Sequence, residues 1–139
     1  MDPECIGINR TLDSYTVLYA HRDLAGVVSL VELDFHGFGT GPDEVVSNAD
    51  EFRRSVERDF AQTRSATISF SDRRCTVEGT AAWVMGTCRF EFDTGTLEGL
   101  MEGRFTAVLR RNEKVWRLAQ LHLSMPCEDQ SEGASWPSE

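Results

Sequence analysis

The second half of the chain consists of strand-like segments joined by short turns, and this feature restricts the possible folds more than any other. The segments are separated by "EGT", "DTGT" and "NEK", each short enough to reverse the chain. They cover approximately residues 66–78, 80–93, 97–111 and 115–125. The sequence therefore predicts an antiparallel meander.

The first of these segments changes its apolar parity partway along. Ile68 and Phe70 share one parity, whereas Cys75 and Val77 share the other. A bulge or bend near "SDRR" at 71–74 would bring all four side chains to one face. A long sheet bent at this point can curl around helices.

The residues before the meander are mainly helical in pattern. Apolar positions recur at helical spacing from Ile8 to Tyr19, and again from Leu24 to Val31 after "HRD". The stretch "DFHGFGTGPDEVV" is rich in glycine and fits a short β-hairpin or an irregular loop. In "SNADEFRRSVERDF", Asn48 can cap a third helix and Glu51 can complete a capping box.

The length and charge of the chain exclude several classes of protein. A chain of 139 residues, 40% of them hydrophobic, suffices for one domain with its own core. The net charge of -9 would repel a phosphate backbone. No apolar run approaches the roughly 18 residues needed to span a bilayer, and the acidic start "MDPECIGINR" is unlike a signal peptide. We therefore expect a cytoplasmic protein that binds neither nucleic acid nor membranes.

The domain bounds and the cysteines complete the general picture. We expect one domain over residues 1–126 and an acidic, loose tail over residues 127–139, where "CEDQSEGASWPSE" shows no periodicity. The histidines lack metal-ligand spacing, so neither a metal nor another cofactor is predicted. The cysteines lack the close pairing of redox and metal motifs and are expected to be free thiols: Cys5, Cys75, Cys88 and Cys127.

The last strand-like segment, "VWRLAQLHLSMP", carries hydrogen-bonding groups on a face that also holds apolar bulk. If "NEK" forms the preceding turn, the predicted cross-strand pairs are Arg104–His122, Glu102–Ser124 and Thr106–Gln120. A buried strand with such a polar row suggests a wet pocket, in which Arg104 and His122 lie side by side and Gln120 takes part in binding. The alternative is a network in which Glu102, Arg104 and His122 satisfy one another.

Further candidates for the pocket come from other parts of the chain. Tyr15 and Tyr19 lie on the apolar stripe of the first helix, and a buried tyrosine hydroxyl needs a partner. His36 lies in the predicted hairpin, where the alternative is a solvated surface position. Trp83 and Trp116 are candidates for a pocket wall, with core or interface packing as the alternative.

Three helices followed by a long bent sheet resemble the nuclear transport factor 2-like superfamily, within it the SnoaL-like and ketosteroid-isomerase-like group. The resemblance is carried by "FGTGPDEVVSNADEFRRSVERDF", "VEGTAAWVMGTCRFEF" and "EGRFTAVLRRNEKVWRLAQLHLSMP". It implies an α+β cone-shaped half-barrel, also called cystatin-like, with three N-terminal helices packed in a strongly bent antiparallel sheet. It also implies a pocket at one end of the cone.

Self-association is a further expectation. Cones of this family often press together through the outer face of the sheet. Here the last strands carry apolar residues of both parities, for instance Leu109 and Leu121 against Val108 and Leu118. A monomer would expose part of that surface, so we expect a homodimer through the sheet.

The resemblance does not by itself decide function, because the superfamily holds both enzymes and binding proteins. It places Tyr15 at the tyrosine position of ketosteroid isomerases, whereas the position of their base falls at about Gly39. We therefore favour a non-catalytic or sensory domain that binds a small hydrophobic or carboxylate-bearing ligand. The alternative is a small isomerase, cyclase or hydrolase with His122 or Asp34 as acid–base group and Tyr15 as oxyanion donor. A protein-interaction adaptor is the second alternative.

Overall fold

The computed structural model describes residues 2–138 and places the helices before the long strands. A 3-10 turn at Pro3–Cys5 leads into the helices α1 (Ile6–Ala20), α2 (Leu24–Val28) and α3 (Ala49–Ala61). The strands are β1 (Val31–Phe38), β2 (Val45–Val46), β3 (Ser65–Glu78), β4 (Ala81–Asp93), β5 (Glu98–Asn112) and β6 (Val115–Ser124). The expected domain (1–126) begins at Met1 and the expected tail (127–139) ends at Glu139. These two residues lie outside the described residues.

The strands form one six-stranded sheet in the order β2-β1-β6-β5-β4-β3. Strands β3 to β6 form the predicted antiparallel meander, and β1 with β2 forms the predicted hairpin. The ladder between β1 and β6 is parallel, which is possible because a long crossover rather than a hairpin separates these two strands. Helices α1 and α3 pack on the inner side of the curled sheet, which confirms the predicted α+β half-barrel.

The bend of the sheet begins in β3, where the sequence places it. The register of β3 against β4 shifts between Ser71 and Arg74, and Asp72 adopts a positive φ of 51°. Ile68 and Phe70 before the shift are buried, and Cys75 and Val77 after it pack against the same core. The bulge thus keeps apolar side chains on the inner face while the strand turns.

The Asn48 cap of the third helix forms as predicted, but among the described residues no hydrogen bond from the Asn48 N–H to the Glu51 side chain completes the capping box. The second helix ends earlier than expected. The Asn48 side chain accepts a hydrogen bond of 2.8 Å from the backbone N–H of Glu51. Helix α2 ends at Val28, and Val31 opens β1 opposite Leu118. The prediction that Val31 belongs to the second helix is therefore wrong, since its apolar side chain serves the sheet.

The free-thiol prediction is wrong for two of the four cysteines. Cys5 and Cys75 form a disulfide across a Cα–Cα distance of 6.1 Å, whereas Cys88 and Cys127 are free. The two bonded residues are 70 positions apart, so sequence spacing gave no sign of the pair. The bond ties the chain before α1 to β3 just beyond its bulge.

After β6 the described part of the chain forms turns without a helix or strand. Gln130 donates from its side chain to the Ala134 carbonyl at 2.9 Å, and Trp136 is 80% exposed. Within residues 2–138, no helix has the length and hydrophobicity that crossing a bilayer would require.

Candidate functional site in the cone

The inner face of the sheet and the helices enclose a cavity of about 290 Å³. This volume lies just below the range of about 300–1,000 Å³ that is usual for small-molecule sites. Most of its lining is apolar or aromatic. The aromatic side chains are Tyr15, Tyr19, Phe35, Phe38, Phe52, Phe90 and Phe92, and the aliphatic ones are Val46, Val56, Ala66, Ile68, Met101, Leu121 and Leu123.

Two tyrosines of α1 reach this cavity, as the sequence predicts for the stripe of that helix. Tyr15 and Tyr19 are four residues apart, so they lie on one helix face, and their rings stack with centroids 6.0 Å apart. They are only 3% and 4% exposed. Burial, with a smaller contribution from the negative charge of Asp59, raises the pKa of both hydroxyls. Both therefore stay protonated at neutral pH and can donate hydrogen bonds.

The two hydroxyls have different partners. The Tyr19 hydroxyl donates a hydrogen bond of 2.8 Å to Oδ2 of Asp59. The Tyr15 hydroxyl has no hydrogen-bond partner among the described residues, although its ring is held edge-on against Phe70 at 5.5 Å. A buried hydroxyl without a protein partner is available to a molecule in the cavity.

Asp59 of α3 places a carboxylate in this apolar surrounding. Burial raises its pKa to about 6, and the negative charge of Glu44 adds to the effect. The hydrogen bond from Tyr19 and the positive charge of Arg58 oppose it. A carboxyl group with a pKa near neutrality can change its protonation state under physiological conditions.

Asp59 is absent from the candidates predicted from the sequence, although a signal for it exists. The apolar stripe of α3 runs through Phe52 and Val56, both buried. Asp59 lies seven residues after Phe52 and three after Val56, so helical spacing puts it on the same face. A single acid in line with an apolar stripe is the pattern that would have pointed to the cavity.

The mouth of the cavity is formed by the loop from Gly39 to Glu44. The Gly39 N–H donates to the Glu44 carbonyl at 2.8 Å, and the Gly41 N–H donates to the Glu44 carboxylate. Arg58 of α3 pairs with Asp43 at 2.8 Å and lies 3.8 Å from Glu44. The hydrogen bond and charge of Arg58 lower the pKa of Asp43. These contacts fix the loop against α3 and leave the Glu44 side chain lining the cavity.

The polar row expected from the last two strands has a different register. Arg104 faces Ser124, Thr106 faces His122 and Val108 faces Gln120. The predicted pairs are wrong for two reasons. The turn holds two residues, since Asn112 pairs with Val115, and the register shifts again between Val108 and Leu109.

As a result, Arg104 and His122 lie on the convex face of the sheet. Both are exposed, whereas Leu121 and Leu123 beside His122 are buried and line the cavity. Successive side chains of a strand point to opposite faces of the sheet. One extra residue in a strand therefore moves every side chain after it to the other face. The predicted meeting of Arg104, His122 and Tyr15 on the concave face is therefore wrong. Arg104 and His122 instead border a shallow convex groove that also includes Asp72, Arg74 and Met85.

The two tryptophans do not line the cavity. Trp83 lies on the convex face and is 46% exposed. Trp116 is buried beneath α1, where the Thr11 hydroxyl donates to the Trp116 carbonyl at 2.8 Å. The expectation of a tryptophan wall is therefore wrong for this cavity, because one ring faces outwards and the other fills the core below α1.

The remaining candidates lie on β1 and β6. His36 is exposed and its Nδ1 lies 3.0 Å from the carbonyl oxygen of Asp34. The Asp34 carboxylate is exposed and pairs with Arg110 at 3.4 Å. Gln120 is partly buried and lies opposite His36 in the parallel ladder. None of these three borders the cavity, whereas Gly39 lines its mouth.

The comparisons with known proteins agree with this architecture. The family model of the SnoaL-like domain matches residues 8–128, so the chain belongs to the SnoaL-like domain family. This match confirms the resemblance inferred from the sequence. No protein of curated function matches the chain.

Solved structures with the same fold come from several bacteria. A candidate dehydratase of the NTF2-like family from Streptomyces avermitilis has a TM-score of 0.81 at 20% identity, with 91% of this chain and 98% of that chain covered. A ketosteroid isomerase-like protein from Erwinia carotovora atroseptica has a TM-score of 0.74 at 14% identity, with coverages of 91% and 99%. At such identities the likeness concerns the fold alone, and the residues of the cavity must carry the argument about function.

Proposed function

We propose that the protein binds a small, largely apolar molecule in the cavity of the cone. The observation that carries the proposal is the presence of two hydrogen-bonding groups, the Tyr15 hydroxyl and the Asp59 carboxyl, in a cavity whose lining is mostly aromatic and aliphatic. Sites with few polar groups on an apolar wall are typical of small-molecule binding. An open cavity of about 290 Å³ favours this function over the adaptor hypothesis, which requires a cone filled by side chains.

A neutral aromatic probe tests the proposal. We expect 1-naphthylmethanol to bind wild-type protein with micromolar to millimolar affinity by titration calorimetry, and to shift the NMR signals of cavity residues. Ala66→Trp would fill part of the cavity and should abolish binding, whereas Thr67→Trp, one residue along β3 and outside the cavity lining, should not. Absence of binding to the wild type, or equal loss in both variants, contradicts the proposal.

A second candidate function is proton transfer at carbon, as in an isomerase. It is favoured by the pKa of about 6 at Asp59, since a general base works best when its pKa lies near the working pH. The Asp59 carboxylate would take a proton from the carbon next to a carbonyl, and the Tyr15 hydroxyl would donate to the enolate oxygen. This assigns the acid–base role to Asp59 instead of His122 or Asp34.

Deuterium exchange measures this activity without knowledge of the natural substrate. In D₂O, the wild type should accelerate exchange at the carbon next to the carbonyl of 2-tetralone, followed by NMR. Asp59→Asn should lose the acceleration, and Asp50→Asn, an equal charge change at an exposed position of α3, should keep it. Background exchange with the wild type speaks against the enzyme hypothesis and leaves ligand binding untouched.

We also propose that two copies associate through the convex face of the sheet, as the family resemblance suggests. The support is the exposure of large apolar side chains on that face, namely 46% for Trp83, 55% for Met85 and 48% for Leu100. The residues first cited for this idea are not all on the outer face. Leu109, Leu118 and Leu121 are buried, because the shift in register brings all three to the core.

A further inference from the structure

The charged side chains that line the cavity all have the same sign. They are Glu44 from the mouth loop and Asp59 from α3, whereas Glu91 of β4 borders the cavity but its side chain is 55% exposed and its carboxylate pairs with Arg89 at 3.2 Å. Among the described residues, no lysine, arginine or histidine lines it. A carboxylate-bearing ligand would therefore meet like charges in a medium of low dielectric constant, which is costly.

The two cations whose charges act on Asp59 and Tyr19, Arg58 and Arg22, are engaged elsewhere. Arg58 points to Asp43 at the rim and is 44% exposed. Arg22, in the turn after α1, donates to the carbonyls of Phe60 and Thr63 and stacks 4.8 Å from the Phe60 ring centroid. Neither side chain borders the cavity, so within the described chain the Asp59 carboxylate lacks a salt-bridge partner.

Two oxygen atoms in the cavity remain free to accept hydrogen bonds. Asp59 receives one hydrogen bond, from Tyr19 to Oδ2, which leaves Oδ1 without a side-chain donor among the described residues. The oxygen of Tyr15, a residue only 3% exposed, has no partner there either. An ammonium group has N–H donors and no acceptor, and it matches such a pair of acceptors.

The aromatic lining adds a second attraction for a cation. Tyr15 and Tyr19 stack, and Tyr15 also packs against Phe52 at 6.4 Å, so several ring faces and edges surround the polar end of the cavity. A cation within about 6 Å of a ring face gains roughly 0.5–2 kcal/mol, with the larger values where water is excluded. Aromatic rings next to a carboxylate are a common surrounding for bound amines.

From these observations we infer that the ligand of the cone is an apolar amine, bound as its ammonium form to Asp59 and Tyr15 beneath the Glu44 loop. This inference rests on the proposed function of the cavity and specifies the chemical class of its ligand. The ammonium group would supply the positive charge that Asp59 lacks, and the hydrocarbon part would occupy the aliphatic wall around Ile68 and Leu123.

Three probes with one ring system and different head groups test the inference. They are 1-naphthylmethylamine, 1-naphthylmethanol and 1-naphthoic acid, which are cationic, neutral and anionic at about pH 8. Titration calorimetry with wild-type protein should give a Kd for the amine at least about 10-fold below that of the alcohol, about 1.4 kcal/mol. The acid should bind more weakly than the alcohol.

Two matched variants test whether the charge of Asp59 is responsible for the preference for the amine. Asp59→Asn keeps the size of the side chain and removes its charge, so the amine and the alcohol should then bind within about threefold of each other. Asp50→Asn makes the same change on the exposed side of α3 and should retain the full preference. Retention of the preference in Asp59→Asn, or its loss in Asp50→Asn, overturns the inference.

The pH dependence provides an independent readout. The groups that act on Asp59 are Tyr15 and Tyr19 of α1, Glu44 of the mouth loop and its neighbour Arg58. Because the carboxyl must be ionised to hold an ammonium, amine affinity should rise between about pH 5 and about pH 7 while alcohol affinity changes little. A rise in affinity towards acid pH indicates instead a carbonyl ligand bound by the protonated acid, and it contradicts the inference.

The outcomes separate the inference from the function on which it rests. If the alcohol binds as well as the amine, and Ala66→Trp abolishes both, the cavity binds small molecules but the amine class is wrong. If none of the three probes binds, the proposed function itself fails. If the acid binds best, the inference is wrong and the ligand of the cone is anionic.

Discussion

The two faces of the curled sheet share the same strands but differ in chemistry. On the concave face, Phe105 and Leu118 are at most 2% exposed and form the core below the cavity. On the convex face, Arg104 and His122 of the same two strands are exposed. Side chains alternate between the two faces along a strand. Of two residues adjacent in sequence, one therefore faces the dry interior and the other faces water.

The two faces also differ in the charge of their polar side chains. The charged side chains lining the cavity are carboxylates, whereas the convex groove combines Arg74, Arg104 and His122 with Asp72. A polar row in water costs little and implies no function. A buried carboxyl in a largely apolar cavity has a shifted pKa and implies a partner that is absent from the chain. The environment of a polar group is therefore more informative than the number of polar groups.

The largest difference between the concave and convex faces should be in how much a substitution lowers the stability of the fold. Phe105 packs against Phe70 at 4.8 Å, and Phe105→Ala would open a cavity in the core. We expect a loss of about 3–5 kcal/mol in the free energy of unfolding, measured by chemical denaturation. Thr106→Val, the next residue on the convex side, should change it by less than about 0.5 kcal/mol. Equal effects in the two variants would mean that the assignment of faces in β5 is wrong.

The general fold could be predicted from the sequence because its signals are local and repeated. Turn-competent segments, alternating apolar positions and the Asn48 cap each act within a few residues. They therefore predicted the meander and the third helix correctly. The change of parity around Asp72 even located the bulge of β3. Tyr15 and Tyr19 were placed correctly in the cavity lining for the same reason, since a helical stripe is a local pattern.

The rest of the site could not be predicted because it depends on single-residue shifts and long-range contacts. One additional shift in the β5–β6 ladder moves His122 from the expected inner face to the outer face. The Cys5–Cys75 bond and the Tyr19–Asp59 hydrogen bond join residues that are 70 and 40 positions apart. Sequence spacing carries no information on such pairs.

The second largest effect should come from the ionisation of Asp59, the buried carboxyl on the concave side of the sheet. The pKa of Asp59 is about 6 in the folded protein, against an ordinary value of 3.8 for an aspartate, so the native state binds this proton more tightly. Stability therefore falls as the pH rises from about 4 to about 6. Asp59→Asn cannot ionise and should be more stable than the wild type by about 2–3 kcal/mol above pH 7, with little difference near pH 4.

Thermal or urea unfolding at both pH values measures this difference. The exposed Asp34 provides the control, since its ion pair with Arg110 lies in water and Asp34→Asn should change stability by less than about 1 kcal/mol. A gain for Asp59→Asn that is equal at both pH values would show that the folded-state pKa of Asp59 is not raised.

A smaller effect is expected for association through the convex face. Trp83→Glu would place a charge in the proposed contact between two copies and should raise the dimer Kd at least about 10-fold, or about 1.4 kcal/mol. Trp136→Glu makes the same change at a side chain that is 80% exposed and lies after the last strand, and it should have no effect. Sedimentation velocity measures both. A wild type that sediments as a single chain at micromolar concentration rules out the dimer.

The smallest effect should come from His122, although the sequence made it the leading candidate. Its ring is exposed and lies 5.2 Å from that of Phe38, a residue that borders the cavity from β1. Its removal opens no core cavity and leaves no buried charge unpaired, so His122→Ala should change stability by less than about 0.5 kcal/mol. Because the side chain points away from the cavity, the Kd for 1-naphthylmethylamine should change by less than about twofold. A loss of binding of tenfold or more, with stability preserved, would move the binding site to the convex groove that His122 borders.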